Sequence, residues 1–260
     1  MYISKFKLYI KLIRIGLHII SGFINLTICK NFYSRKFKFG QIHKWSKKTY
    51  KLLNIEIITH NMPDFNKDKG LMIVGNHVSW LDIFALNSIS PGRFIAKSDL
   101  KKWPMLGTLV TNSETILVQR GGGNQNKGHY ETIVNSLENG DQITLFPEGT
   151  TSPGNQLLNF KKRIFQAPID AKVDILPFII IYPNSNNKGI REDLTYYGDI
   201  NFMQSLVKIA KYKKNTAHIY FLDKIPYDPN ISRIELANGL YKKMDQALES
   251  ILNQYSIQKV

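Results

Sequence analysis

Cysteine is almost absent from this chain: Cys29 stands alone. One thiol excludes a disulfide framework and a thiolate metal cluster. It lies in an apolar stretch with no acid–base partner beside it, which argues against a cysteine nucleophile. The six histidines, at 18, 43, 60, 77, 129 and 218, show no ligand spacing, so no metal is expected. A Gly-x-Ser-x-Gly elbow is missing too, so a serine acyl-enzyme is not indicated.

Acidic residues are lacking altogether up to Lys51. That segment holds Lys5, Lys7, Lys11, Arg14, Lys30, Arg35, Lys36, Lys38, Lys44, Lys47, Lys48 and Lys51. The rest of the 260 residues carries 23 of the 35 basic groups against all 20 acidic ones, so most of the net charge of +15 belongs to the N-terminus. Such a segment suits anionic lipid or nucleic acid phosphate. Between Leu8 and Leu17 the cations are mixed with long aliphatics, and no nucleic-acid motif occurs, so an anionic membrane surface is the expected partner and nucleic acid is not.

Ile15 to Cys29 is nearly uncharged, with His18, Ser21, Asn25 and Thr27 as polar breaks. The run of about 15 residues is short of the roughly 20 that span a bilayer. No Ala-x-Ala-like cleavage site follows it, and both flanks are basic. The expectation is an anchor on the cytoplasmic face of a bacterial inner membrane, monotopic or a single N-terminal helix that spans if Lys11 and Arg14 snorkel, against an amphipathic helix packed on its own domain. Phe37 to Lys51 reads as a second helix whose Phe37, Phe39, Trp45 and Tyr50 lie at headgroup level. The expected organisation is an anchoring segment, 1–51, and a catalytic domain, 52–260.

Beyond residue 51, strands alternate with helices. Expected strands are Leu52–Thr59, Leu71–Val74, Arg93–Lys97, Thr115–Val118, Gln142–Phe146, Val173–Ile181 and Ala217–Phe221. Expected helices follow Trp80 and cover Tyr130–Leu137, Met203–Tyr212 and Ile231–Leu252. The pattern predicts one α/β domain with a mixed, mostly parallel central sheet flanked by helices. Pro177 demotes its strand to an edge or bulged one.

Chemistry gathers at strand ends. His77 stands where Leu71–Val74 turns into a helix, with Asp82 five residues on. On one continuous helix these two would point about 140° apart. With His77 in the turn and Asp82 in the first helical turn, the carboxylate can reach an imidazole nitrogen and fix its tautomer, as a general base requires. A core histidine beside a helix-N-terminal Asp is the alternative. Phe146 to Ser152 is a second strand end, rich in Gly and Thr, and Arg120 before Gly121–Gly123 is a third. Backbone N–H groups and an Arg fork suit an oxyanion or phosphate.

Taken together and in order, these stretches resemble the glycerolipid acyltransferase superfamily, whose bacterial members acylate lysophosphatidic acid. The resemblance rests on Asn76-His77-Val78-Ser79-Trp80-Leu81-Asp82, Ile116–Arg120, Phe146-Pro147-Glu148-Gly149-Thr150-Thr151-Ser152 and Ile175-Leu176-Pro177-Phe178. Lys97-Ser98-Asp99-Leu100 with Pro104 and Gly107 matches the family's connector. The resemblance implies His77 and Asp82 as catalytic residues. It implies Asn76, Lys97, Arg120, Glu148, Gly149 and Thr150 as substrate-binding ones. An acyl thioester on acyl carrier protein or coenzyme A is the implied co-substrate, and no cofactor is implied. Many members carry Arg where this chain has Thr151. That resembles a branch some of whose members acylate lyso-ornithine lipid, and Lys161, Lys162 and Arg163 could supply the charge instead.

Overall fold

The computed structural model describes residues 2–32, 34–65, 69–102, 106–119, 124–184 and 188–256. Among these, seven strands form one sheet: β1 (Ile55–His60), β2 (Leu71–Gly75), β3 (Arg93–Lys97), β4 (Ile116–Val118), β5 (Gln142–Leu145), β6 (Asp174–Ile181) and β7 (Asn215–Phe221). Their order is β1-β7-β6-β2-β5-β3-β4. All neighbours run parallel except β6 and β7, so the sheet is mixed and mostly parallel. Helices α1 (Lys5–Phe32), α2 (Arg35–Leu53), α3 (Leu81–Asn87), α4 (Leu106–Asn112), α5 (Asn124–Glu138), α6 (Gln166–Asp170), α7 (Phe202–Ala210) and α8 (Arg233–Gln254) flank it.

Period-two alternation divides each central strand between two cores. Met72 and Val74 of β2 join Ile143, Ile175, Ile179 and, from α8, Leu240, Met244 and Leu248. Leu71 and Ile73 face the other way, toward Leu176, Phe178, Leu81 and Leu86. Both faces are covered, which is why these strands read as continuous apolar runs.

β6 is central, between β7 and β2, so the edge reading of Pro177 does not hold, while the pairing beside it is irregular, two residue steps from Pro177 to Ile175 facing three from Leu222 to Ile225. The ladder explains the tolerance. Residues 175, 177 and 179 point their backbone groups toward the β7 side. Ile175 there exchanges bonds with Ile225 (2.9 and 2.8 Å), and the carbonyl of Pro177 accepts from Leu222 N (2.9 Å). The β6–β7 register begins only at Phe178 opposite Phe221, so the missing N–H of Pro177 falls beyond the paired segment.

Leu52 and Leu53 end α2 instead of beginning a strand, and the expected 51/52 division falls inside that helix. Asn54 follows in the left-handed conformation (φ 58°), its N–H closing on the carbonyls of Tyr50 and Lys51. Ile15 of α1 and Tyr50 and Leu53 of α2 belong to the same cluster as Val78 and Leu81. Tyr50 is therefore inside the protein, not at headgroup level, whereas Phe37 is exposed. Trp45 donates to His18 O (3.0 Å) and stacks on the His18 ring. Arg35 reaches Asp141 with both terminal nitrogens (2.6 Å each) and Glu114 with Nε (2.7 Å). That ties the start of α2 to the ends of the sheet.

α1 is long and apolar enough over Lys5–Ile28 to cross a membrane. Its sides differ. Lys11, Ile15, His18 and Leu26 are buried against the protein, while Phe6, Tyr9, Ile13, Leu17, Ile20, Ile24 and Ile28 form an exposed stripe at three- and four-residue steps. The charge of Lys11 is satisfied inside, on Leu53 O (3.1 Å) and Tyr212 O (3.4 Å).

Candidate active site

Parallel strands deliver their carboxyl ends to one edge of the sheet, where ligand groups gather in α/β folds. From β6 through β2 and β5 to β3, that edge presents Tyr182, Asn76–Asp82, Phe146–Thr151 and Lys97. The expected site residues thus come from separate stretches of chain onto one side of one sheet. Arg120 follows β4 and lies outside the described residues.

His77 and Asp82 meet. The imidazole Nδ1 lies 2.8 Å from Asp82 Oδ2. His77 is in the turn after β2 and Asp82 is in the first turn of α3, which removes the helical divergence. Asp82 is completely buried. An ionised carboxylate there needs partners, and it has four. Oδ2 also accepts from Val78 N (2.8 Å) and Ser79 N (2.9 Å), and Oδ1 accepts from the hydroxyl of Tyr182 (2.6 Å). With Nδ1 as the donor, the lone pair falls on Nε2, which has no partner among the described residues. The ring stacks on Phe146 at 4.2 Å and 13° and stays partly open to solvent, 19% for the side chain. This is a base held on one side and free on the other.

Asn76 and Glu148, expected on the substrate, are instead occupied within the protein. β2 ends at Gly75, whose bare Cα lets Phe178 approach; a Cβ would lie 2.0 Å from its ring. The Asn76 amide then adds a rung to the β2–β6 ladder, donating to Ile180 O (2.9 Å) and accepting from Ile180 N (2.7 Å). Glu148 accepts from His77 N (2.8 Å) on one oxygen and from Leu158 N (2.9 Å) on the other. Burial pushes its carboxyl up to about 7, against the pull of the Leu158 and His77 N–H groups toward the charged form. Glu148 fixes the backbone of the base rather than facing solvent.

Gly149 turns the chain outward with φ 67°, a left-handed conformation that favours glycine. A Cβ there would lie 2.3 Å from Lys161 Nζ, so an ammonium group lies over this turn. Thr150 is exposed and Lys97 half-buried. Thr151 is tied back, its hydroxyl donating to Tyr196 O, while Tyr196 N donates to Val78 O (2.8 Å) and Ser152 N to His77 O (2.7 Å). Three stretches therefore brace the turn that carries His77.

The sequence alone did not single out Tyr182, and Tyr50 was expected elsewhere. The available signal was a hydroxyl at the end of the very apolar β6; Tyr50, flanked by Lys47, Lys48 and Lys51, gave none.

The sequence profile described as Acyltransferase matches residues 56–181. The 1-acyl-sn-glycerol-3-phosphate acyltransferase of Neisseria meningitidis is 35% identical over 153 residues, 59% of each chain. This chain thus spans about three fifths of the length of that relative. The lyso-ornithine lipid O-acyltransferase of Brucella abortus is 30% identical over 193 residues, 70% of this chain and 72% of that one. The crystal structure of the 1-acyl-sn-glycerophosphate (LPA) acyltransferase from Thermotoga maritima shares the fold, with TM-score 0.66 at 18% identity over 94% of this chain and 95% of the other. The profile match and the Brucella relative, together with the paired His77 and Asp82 at the strand edge, show that this chain belongs to the glycerolipid acyltransferase family.

Proposed function

We propose that this protein moves a fatty acyl group from an acyl thioester, acyl carrier protein or coenzyme A, to the free sn-2 hydroxyl of 1-acyl-sn-glycerol-3-phosphate, giving phosphatidic acid. The observation that carries the reading is His77, bound to Asp82 through Nδ1 at 2.8 Å and open at Nε2. Nε2 takes the proton of the acceptor hydroxyl as its oxygen attacks the thioester carbonyl. Asp82 holds the ring and stabilises the imidazolium. When the tetrahedral intermediate collapses, the C–S bond breaks and the imidazolium proton goes to the departing thiolate.

The oxyanion needs N–H donors. Those of His77, Val78, Ser79, Gly149 and Ser152 are spent on Glu148, Asp82, Phe146 O and His77 O. The N–H groups of Thr150 and Thr151 have no such partner among the described residues and are assigned here. Lys97, Thr150 and Arg120 are assigned to the substrate, with Lys161 over the Gly149 turn as a further cation for the acceptor headgroup.

The exposed stripe of α1 and its basic neighbours support attachment to the cytoplasmic face of an anionic bacterial inner membrane, where the acceptor's acyl tail resides. Residues 1–51 are assigned the anchoring role and 52–260 the catalytic one, a division of roles within one packed body, since Ile15 and Tyr50 share a cluster with Val78 and Leu81.

Lyso-ornithine lipid is the second reading for the acceptor. Relatives of that name in Rhizobium meliloti and Brucella abortus cover more of this chain (80% and 70%) than the Neisseria relative does. Thr151, turned onto Tyr196 O, also leaves the turn without the family's usual Arg.

The test is transfer to both acceptors in parallel, with His77→Ala and Asp82→Asn beside the parent. We expect His77→Ala to lose at least about a hundredfold in kcat. Full activity in that variant ends the reading, and the faster acceptor chooses between the two lipids.

A further inference from the structure

Asp82 Oδ1 has one hydrogen-bond donor among the described residues, and it is not backbone. The hydroxyl of Tyr182, immediately after β6, donates to it at 2.6 Å. Both residues are completely buried. The Tyr50 hydroxyl of α2 lies 3.4 Å from that of Tyr182 and donates to Leu81 O (3.1 Å), the carbonyl next to Asp82. Neither tyrosine belongs to a motif read from the sequence, and the family profile ends at residue 181.

We infer that Tyr182 is a positioning residue for the His77–Asp82 pair, and that Tyr50 extends this support into the N-terminal helices. The inference rests on the acyl-transfer reading above. Oδ2 already serves His77 Nδ1 and two backbone N–H groups. Without a donor at Oδ1 the buried carboxylate would hold an unshared charge on one oxygen, which costs free energy and loosens its orientation. Burial first, and the Asp82 charge next, push the Tyr182 hydroxyl well above the usual phenol range, so it remains a donor throughout an assay. Tyr182 also draws charge from Asp82. Removing it concentrates charge on the carboxylate that faces His77 Nδ1, and the acid limb of the pH–rate profile reports that change.

Among the described residues, the titratable groups bonded to the pair or its backbone, directly or through Tyr182, are Tyr182 after β6, Tyr50 from α2 and Glu148 after β5, the last through His77 N. Glu148 is common to parent and variant, so its titration cancels in the comparison.

The experiment compares the full chain with Tyr182→Phe and Tyr50→Phe, reconstituted in vesicles and assayed across pH 5 to 9, with His77→Ala as reference. Phe keeps the ring volume and removes only the hydroxyl. For Tyr182→Phe we expect kcat to fall about tenfold with KM within about twofold, and the acid limb of kcat/KM to move up by roughly half a unit. Tyr50→Phe should move it the same way by less. A fall in kcat with the limb unmoved makes Tyr182 merely structural and overturns the inference, as does parent-like behaviour. If Tyr182→Phe fails to fold, Tyr50→Phe decides, and an unmoved limb there overturns it. An active His77→Ala instead overturns the underlying reading, so the two failures are distinguishable.

Discussion

Glu148 shows how one buried residue couples pH to the site. Its carboxyl, ordinarily at 4.5, is pushed up to about 7 in the folded chain. The folded value lies above the unfolded one, so the contribution to stability is present below the unfolded value and lost as pH rises through about 7. Chemical denaturation of the parent and Glu148→Gln between pH 5 and 7.5 measures this. The parent should lose stability relative to the variant as pH rises. A constant difference would count against the burial argument. Gly149→Ala must hold φ 67° with a Cβ, at a cost of about 1–2 kcal/mol. The clash with Lys161 Nζ involves the far end of a flexible chain and is cheap to relieve. The destabilisation should therefore persist within about 0.5 kcal/mol in a Lys161→Ala background, and full rescue there would show the clash to be the cause.

Two elements carry the functional layout. β2 ends early, and Asn76 continues its ladder with a side-chain amide, which frees the backbone to turn into the loop that carries His77 while the sheet stays paired. α1 is the other, with one side against the protein and the other apolar and exposed. Changing Ile13, Leu17 and Ile20 together to Gln removes a continuous part of that stripe without touching Ile15 or His18. Each such side chain contributes about 1.5–3 kcal/mol when buried in lipid. Sedimentation with anionic vesicles should therefore lose at least about a hundredfold in partitioning, with near-UV circular dichroism unchanged. Parent-like sedimentation would remove α1 as the anchor.

At the scale of the whole molecule, the N-terminal helices are built into the catalytic core rather than tethered to it. Ile15 and Leu26 are almost fully buried, and Lys11 and His18 make internal bonds. A chain beginning at Arg35 should melt lower than the full chain even in detergent, by several degrees, since losing the burial of Ile15 and Leu26 alone costs about 3–6 kcal/mol. Equal melting temperatures would mean that α1 is dispensable for stability.

Local patterns in the chain carried the kind of fold and the approach of His77 to Asp82. Strand and helix periods are local properties, so the strands from β2 to β7 were legible to within a few residues, as was the alternation that implies a mostly parallel sheet. His77 and Asp82 were legible because their spacing lies across one strand-to-helix turn. Tertiary structure alone decided the rest, because the partners are far apart in the chain. Pro177 could sit in a central strand only because β7 ends opposite Phe178, one residue short of it. Glu148 turned inward because His77 N and Leu158 N wait there, 71 and 10 residues away. Tyr182 reached Asp82 across 100 residues because β6 lies beside β2. Spacing along a chain reveals groups that share a turn, whereas groups that share only a sheet edge become neighbours when the strand order is set.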